Sequence, residues 1–282
     1  MNKYLLGLYE KSMPNELTWA EKLQAAKVAG FDYVEMSIDE TDAKLARLDM
    51  TDGEVDEIRA AMRTTNLPFR SICLSGHRKY PLGSHNPEVR ERSLKIMGKA
   101  ITLAARLGIR TIQLAGYDVY YENGDDQTRA DFVTNLKLSA EMAAREGIVL
   151  GFETMETPFM DNVRKSMEYV NLVNSPYLGV YPDVGNVTNA CLIYGEDLTN
   201  DFKSGAGHLV AVHLKETVPG KYREIPYGTG HVDFGKAIRT SWALGVRRYV
   251  AEFWYVKGVT EDWRGELRRA NDFLRGHFAA NI

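Results

Sequence analysis

One local pattern constrains this chain more than any other: an amphipathic helical stretch stops at a glycine and gives way at once to a short β-branched or aromatic run. It recurs from Gly30 to Glu35, from Gly108 to Gln113, from Gly147 to Glu153 and from Gly245 to Glu252. A glycine just past a helix adopts the left-handed backbone at little cost, so each instance reads as a helix end feeding a strand. Helix starts keep the same phase. Thr51 with Glu54 makes a capping box, Asn86 precedes Pro87 at a first helical position, and Asp161 and Asp233 are candidate N-caps. Apolar stripes at helical spacing follow, among them Val55, Ile58 and Met62, then Leu94, Met97, Ile101 and Ala104, then Phe132, Leu136 and Ala143.

Eight strand-like segments alternate with these helices. They run from Leu5 to Tyr9, Tyr33 to Ser37, Phe69 to Leu74, Thr111 to Gly116, Val149 to Glu153, Leu178 to Asp183, Leu209 to Lys215 and Tyr249 to Glu252. Strict alternation predicts an α/β protein whose parallel strands close into a (β/α)8 TIM barrel, with an open doubly wound sheet as the weaker alternative. The 282 residues suit one such barrel, and no linker or low-complexity tract breaks residues 1–282 into two domains.

Composition narrows the partners. A net charge of -3 and basic runs no longer than pairs leave no nucleic-acid footprint, and no apolar stretch reaches the length of a membrane span. Met1 to Tyr9 lacks the apolar stretch and cleavage site of a signal peptide, and Cys73 and Cys191 show no paired spacing. The expectation is a cytoplasmic enzyme acting on a small molecule.

In such a barrel the active site lies where strands end, so polar residues terminating strands are the informative ones. Glu153 ends the fifth strand, Asp183 the sixth and Glu252 the eighth, and His213 lies near the end of the seventh. Consecutive strands are neighbours, so three carboxylates and one imidazole can meet although far apart in sequence. That donor set suits one divalent ion, Mn²⁺, Co²⁺, Zn²⁺ or Mg²⁺, and ligand chemistry alone does not choose among them. The competing structural reading is a salt-bridge network at the barrel mouth.

Other positions carry weaker signals. Lys215, two residues past His213 on the same strand face, can hold a substrate oxygen or phosphate, or be a plain surface lysine. Gly228 and Gly230 lie where barrels often cradle phosphate, with ordinary turn glycines as the rival reading; their spacing is too short and misplaced for a dinucleotide fingerprint, so no nucleotide cofactor is expected. Glu35 and Gln113 either orient substrate hydroxyls or serve buried hydrogen bonding, Tyr117 and Tyr120 are candidate pocket walls, and Cys73 reads as a small core residue.

Several segments together resemble the sugar isomerase/epimerase barrels related to xylose isomerase. They are residues 7–11 (GLYEK), 34–37 (VEMS), 74–78 (LSGHR), 81–84 (PLGS), 112–121 (IQLAGYDVYY), 181–186 (YPDVGN) and 210–215 (VAVHLK), and they span nearly the whole chain. The resemblance is to the branch acting on ketopentose 5-phosphates. It implies metal ligation by Glu153, Asp183, His213 and Glu252, and 3-epimerisation of L-xylulose 5-phosphate to L-ribulose 5-phosphate with Glu153 and Glu252 as the two catalytic bases. It favours His77 and Arg78 as phosphate ligands. Free-ketose epimerases commonly carry a substrate-contacting His three residues after the metal Asp; here that place is Asn186, which argues against a free-hexulose substrate. Open alternatives are an aldose-ketose isomerase or free-ketose epimerase on the same scaffold, and a non-catalytic sugar-phosphate sensor. Such barrels often pair, so a homodimer is an open assembly, though no heptad or apolar patch marks its interface.

Overall fold

The computed structural model describes residues 3–282; Met1 and Asn2, part of the N-terminal stretch discussed above, lie outside them. The eight strands are β1 Leu5–Tyr9, β2 Tyr33–Ser37, β3 Phe69–Leu74, β4 Thr111–Ala115, β5 Val149–Glu153, β6 Leu178–Val180, β7 Val212–Leu214 and β8 Arg248–Ala251. Around them run α1 Trp19–Val28, α2 Asp42–Leu45, α3 Asp52–Thr65, α4 Pro87–Leu107, α5 Asp126–Arg145, α6 Val163–Val173, α7 Val184–Tyr194, α8 Leu198–Ser204, α9 Phe234–Ala243 and α10 Trp263–Asn281.

All strand pairs are parallel, in the order β6-β5-β4-β3-β2-β1-β8-β7. The cylinder closes between β6 and β7 by isolated bridges, Val180 to Leu209 and Asp183 to His213, with hydrogen bonds from Val210 N to Val180 O (2.8 Å) and from His213 N to Pro182 O (2.9 Å). Strand closure into a TIM barrel is therefore as the alternation predicts. Four strands are shorter than the sequence suggests. Gly116 falls outside β4, Asp183 lies beyond β6, Leu209 and Lys215 flank β7, and Glu252 follows β8. At the barrel mouth the backbone turns outward to reach helix starts, so apolar-polar alternation outruns the hydrogen-bond ladder.

The helix signals mostly land. Gly30, Gly108, Gly147 and Gly245 all have positive φ, from 63° to 96°, and Thr51, Asn86 and Asp233 cap α3, α4 and α9. Asp161 is not a cap. Asn162 takes that place at α6 by accepting from Lys165 N, while the Asp161 carboxylate is occupied by Lys165 Nζ and the Tyr194 hydroxyl.

Two main apolar clusters, and a small third of Ala115, Tyr117 and Met155, are buried among the described residues. The larger lies between barrel and helices, where Leu6, Leu8, Val34, Ile72, Ile112, Leu150 and Phe152 meet the helical stripes. The smaller fills the barrel with Tyr9, Tyr33, Cys73, Tyr181, Ala211 and Val250. Period two explains the split, because alternate residues of each strand face opposite sides. The inner aromatics need room: a Cβ on Gly7 would stand 2.4 Å from the Tyr33 ring. No helix among the described residues is long and apolar enough to cross a membrane.

Candidate metal centre and substrate cleft

The inward set of residues changes character towards the mouth, from tyrosine to acid. Ligand atoms of Glu153, Asp183, His213 and Glu252 all lie within 4.8 Å of one another, and all four residues are buried. Glu153 is the last residue of β5, His213 is central in β7, and Glu252 follows β8. Asp183 arrives differently, as the N-cap of α7: its Oδ1 accepts from Asn186 N (2.7 Å) and lies 3.1 Å from Lys215 Nζ. Its Oδ2 is buried with no hydrogen-bond partner.

His213 is held at both ring nitrogens. Nδ1 faces the acids, 2.8 Å from Glu252 Oε2 and 3.5 Å from Glu153 Oε1, and Nε2 lies 2.6 Å from Glu35 Oε1. The other Glu35 oxygen accepts from Ser71 Oγ (2.6 Å) and the Tyr181 hydroxyl (3.1 Å). Gln113 Nε2 lies 3.3 Å from His213 Nδ1, and its own Oε1 is buried without a partner.

So many carboxylates in one dry place disfavour their own charge. Burial, and then neighbouring acids, push Asp183 up to about 8, with Lys215 pulling the other way, and burial with the charge of Glu252 raises Glu153. Burial acts on Glu252 too, but Lys215 and His213 together overcome it and hold that acid well below the usual carboxylate range. Lys215, despite burial, is raised to about 12 by Asp183 and the two glutamates. An orphaned carboxylate oxygen within an acid-rich, one-imidazole donor set is what a divalent cation satisfies, so these residues fit a metal ion.

The quartet opens into a narrow cleft of about 70 Å³ at the C-terminal end of the barrel. Glu153, Glu252, Asn186, Lys215 and Arg78 line it. Asn186 bridges its parts, receiving Lys215 Nζ at Oδ1 (2.8 Å) and donating to Thr154 O (2.7 Å). Arg78 lies over Tyr120 and Tyr117, with its guanidinium carbon 4.9 and 5.9 Å from the ring centroids, and its Nε is buried without a partner. Cys73 also lines the cleft, so it is not only the core residue expected.

Two expectations need correction. His77 is not brought to the cleft: the 3-10 turn Ser75–Arg78 carries its ring under α4, where Nε2 meets Ser93 O at 3.2 Å, and burial lowers it to about 4. A neutral imidazole there does not attract phosphate. Gly228 and Gly230 close around a protein carboxylate instead. Glu216 accepts from Gly228 N (3.0 Å), Val232 N (3.1 Å) and Thr217 N (3.2 Å), and a Cβ on Gly230 would stand 2.3 Å from Glu216 Oε1.

Sequence reasoning missed Lys11, Glu156, Tyr222, Arg223 and Trp254 as site residues, and with Tyr9, Ser75 and Met155 they line the rest of the cleft. Lys11 and Trp254 follow strand ends by two or three residues and were findable by that rule. Tyr222 and Arg223 sit in the long loop after β7, where no periodicity marks them.

Residues 23–276 match the xylose isomerase-like TIM barrel family. The chain belongs to that family. It is 42% identical over 275 residues to L-ribulose-5-phosphate 3-epimerase UlaE of Salmonella paratyphi A, covering 97% of this chain and 95% of that protein. The Salmonella typhimurium protein of the same name is 41% identical over 276 residues, covering 98% and 95%. Among solved structures, a D-allulose 3-epimerase from Methylomonas sp. superposes with a TM-score of 0.79 at 18% identity, covering 98% and 97%. An L-ribulose 3-epimerase superposes with a TM-score of 0.75 at 18% identity, covering 99% and 94%. The family agrees with the resemblance read from the sequence, and the curated relatives are isomerases of the epimerase kind.

Proposed function

We propose that this protein is a metal-dependent 3-epimerase interconverting L-xylulose 5-phosphate and L-ribulose 5-phosphate in a reducing cytoplasm. The observation that carries the reading is that Glu153 and Glu252 reach one buried point from β5 and β8, three strand positions apart, in a cleft that Arg78 and Lys215 also line. A ketopentose 5-phosphate has a C3-H next to its C2 carbonyl. Glu153, Asp183, His213 and Glu252 would hold a divalent ion, which when bound would supply Lewis-acid polarisation of that carbonyl and so acidify the C3 proton. Manganese, cobalt, zinc and magnesium all suit the donors.

The chain's own groups do the rest. One glutamate takes the C3 proton from its face of the sugar, and the other returns a proton to the opposite face, which inverts the centre and leaves atoms and charge balanced. Lys215, kept cationic by its acids, donates to a substrate oxygen, and Asn186 fixes that ammonium. Arg78 receives the phosphate, since its guanidinium lines the cleft with its Nε buried and without a hydrogen-bond partner.

NMR of L-xylulose 5-phosphate with the protein in D₂O, with and without chelator, tests this directly. Epimerisation with deuterium entering at C3, abolished by chelator and restored by metal, is expected. Glu153→Gln and Glu252→Gln should each lose about 10³-fold or more in turnover while keeping the fold. Turnover without solvent deuterium at C3, or equal activity on the unphosphorylated ketose, would overturn the reading.

A further inference from the structure

The two glutamates that close on the centre are anchored unequally. Glu153 is the last residue of β5 and pairs with Ala115 of β4 inside the ladder. Glu252 lies one residue past β8: its N donates to Leu214 O (3.1 Å), and its own O accepts from the Tyr227 hydroxyl (3.4 Å). The same hydroxyl lies 2.5 Å from Leu214 O, on the residue next to His213. Tyr227 thus braces β7 against β8 where the ladder stops, with its ring packed on Phe234, Phe253 and Phe273.

Tyr227 belongs to the long loop between β7 and α9, and the carboxylate of Glu216 draws that loop shut. Glu216 is buried, and both its oxygens serve the loop backbone. Oε2 accepts from Gly228 N (3.0 Å), the residue after Tyr227, and Oε1 from Val232 N (3.1 Å) and Thr217 N (3.2 Å). A second tie, from His231 N to Thr217 O (2.9 Å), runs beside the first. Burying a carboxylate is costly, and these amides offset the cost only while the loop keeps this shape, so charge and loop geometry are coupled.

We infer that Glu216 is a positioning residue for the reaction: by seating Gly228 it aims Tyr227, and through Tyr227 it sets where Glu252 presents its carboxylate beside His213. The inference deepens the two-base reading above and rests on it. General support of the fold would act on both glutamates alike, whereas this clasp acts on one.

That asymmetry is what the experiment reads. Tyr227→Phe keeps the ring packing and leaves Leu214 O its bond from Glu252 N, so it should fold like the parent. At saturating metal, Tyr227→Phe and Glu216→Gln should each lower kcat about 10–100-fold with KM within about twofold of the parent. Each ketopentose 5-phosphate epimer is then followed separately by NMR in D₂O. A displaced Glu252 slows proton transfer on one face, so the epimer deprotonated by Glu153 should gain deuterium at C3 without inversion, and the other should lose exchange and inversion together. Chelator competition should show metal held about tenfold more weakly in both variants. Parent-like kcat and exchange in Tyr227→Phe would overturn the inference, as would loss of inversion with no gain of exchange in either epimer. Should Glu216→Gln unfold, Tyr227→Phe alone decides. If the parent turns over no ketose phosphate, the epimerase reading falls and metal affinity decides: weaker binding in Tyr227→Phe supports the clasp, and unchanged binding refutes it.

Discussion

The Nε2 atom of His213 lies 2.6 Å from Glu35 Oε1, deep inside the barrel and on the far side of the imidazole from the other acids. With Nδ1 offered to a cation, the Nε2 proton must be donated to Glu35, which fixes both tautomer and ring plane.

Glu35→Gln is therefore expected to weaken metal binding by about 10–100-fold, as removal of an outer partner of a ligating histidine commonly does. Competition with a fluorescent chelator measures it. Unchanged affinity would mean that Glu35 is only filling the barrel.

Glu10, at the exit of β1, accepts from Lys22 Nζ (2.6 Å), Lys44 Nζ (2.8 Å), Arg47 through both terminal nitrogens (2.6 and 2.9 Å) and Ser37 N (2.9 Å). Its side chain is fully buried, and the cations outweigh burial to keep it ionised far below the usual range. Glu10→Gln leaves three cations facing one another in a dry site, which should cost about 3–5 kcal/mol of stability. Urea unfolding at pH 7 reads this; a loss under about 1 kcal/mol would refute it.

His77 makes stability pH-dependent. Burial lowers its folded value to about 4 from the ordinary 6.5. Between those values the unfolded chain binds the extra proton, so stability is full above pH 6.5 and declines as pH falls towards 4, by on the order of 3 kcal/mol. His77→Gln, which retains a donor for Ser93 O, should flatten that slope relative to the parent in urea melts across pH 4–7. Parallel curves would show that His77 is protonated in the folded state.

Much of the barrel was readable because two periods rarely coincide by accident. Alternate inward positions put Glu35 and Ser71, Gln113, Tyr181 and His213 on one interior surface, so Lys215 could be assigned to the His213 side from spacing alone. Glycines with forced left-handed backbone set the phase. What resisted reading has no period. The turn after β3 sends His77 one way and Arg78 the other, and side-chain aim in a 3-10 turn is decided by packing on α4 rather than by neighbours in sequence. Gly228 and Gly230 carry backbone donors in a loop that suits phosphate, but Glu216, buried and local, claims them first. Asp183 was placed at its strand end for a partly wrong reason; it is a helix cap whose second oxygen is left over.

The join between β6 and β7 has a mechanical consequence. Elsewhere neighbouring staves are stitched along three or more residues, but this seam is tacked at two points, and the upper tack joins Asp183 to His213. A cation gripping both side chains would rivet the loosest joint of the cylinder, so loading the centre and tightening the whole wall become one event.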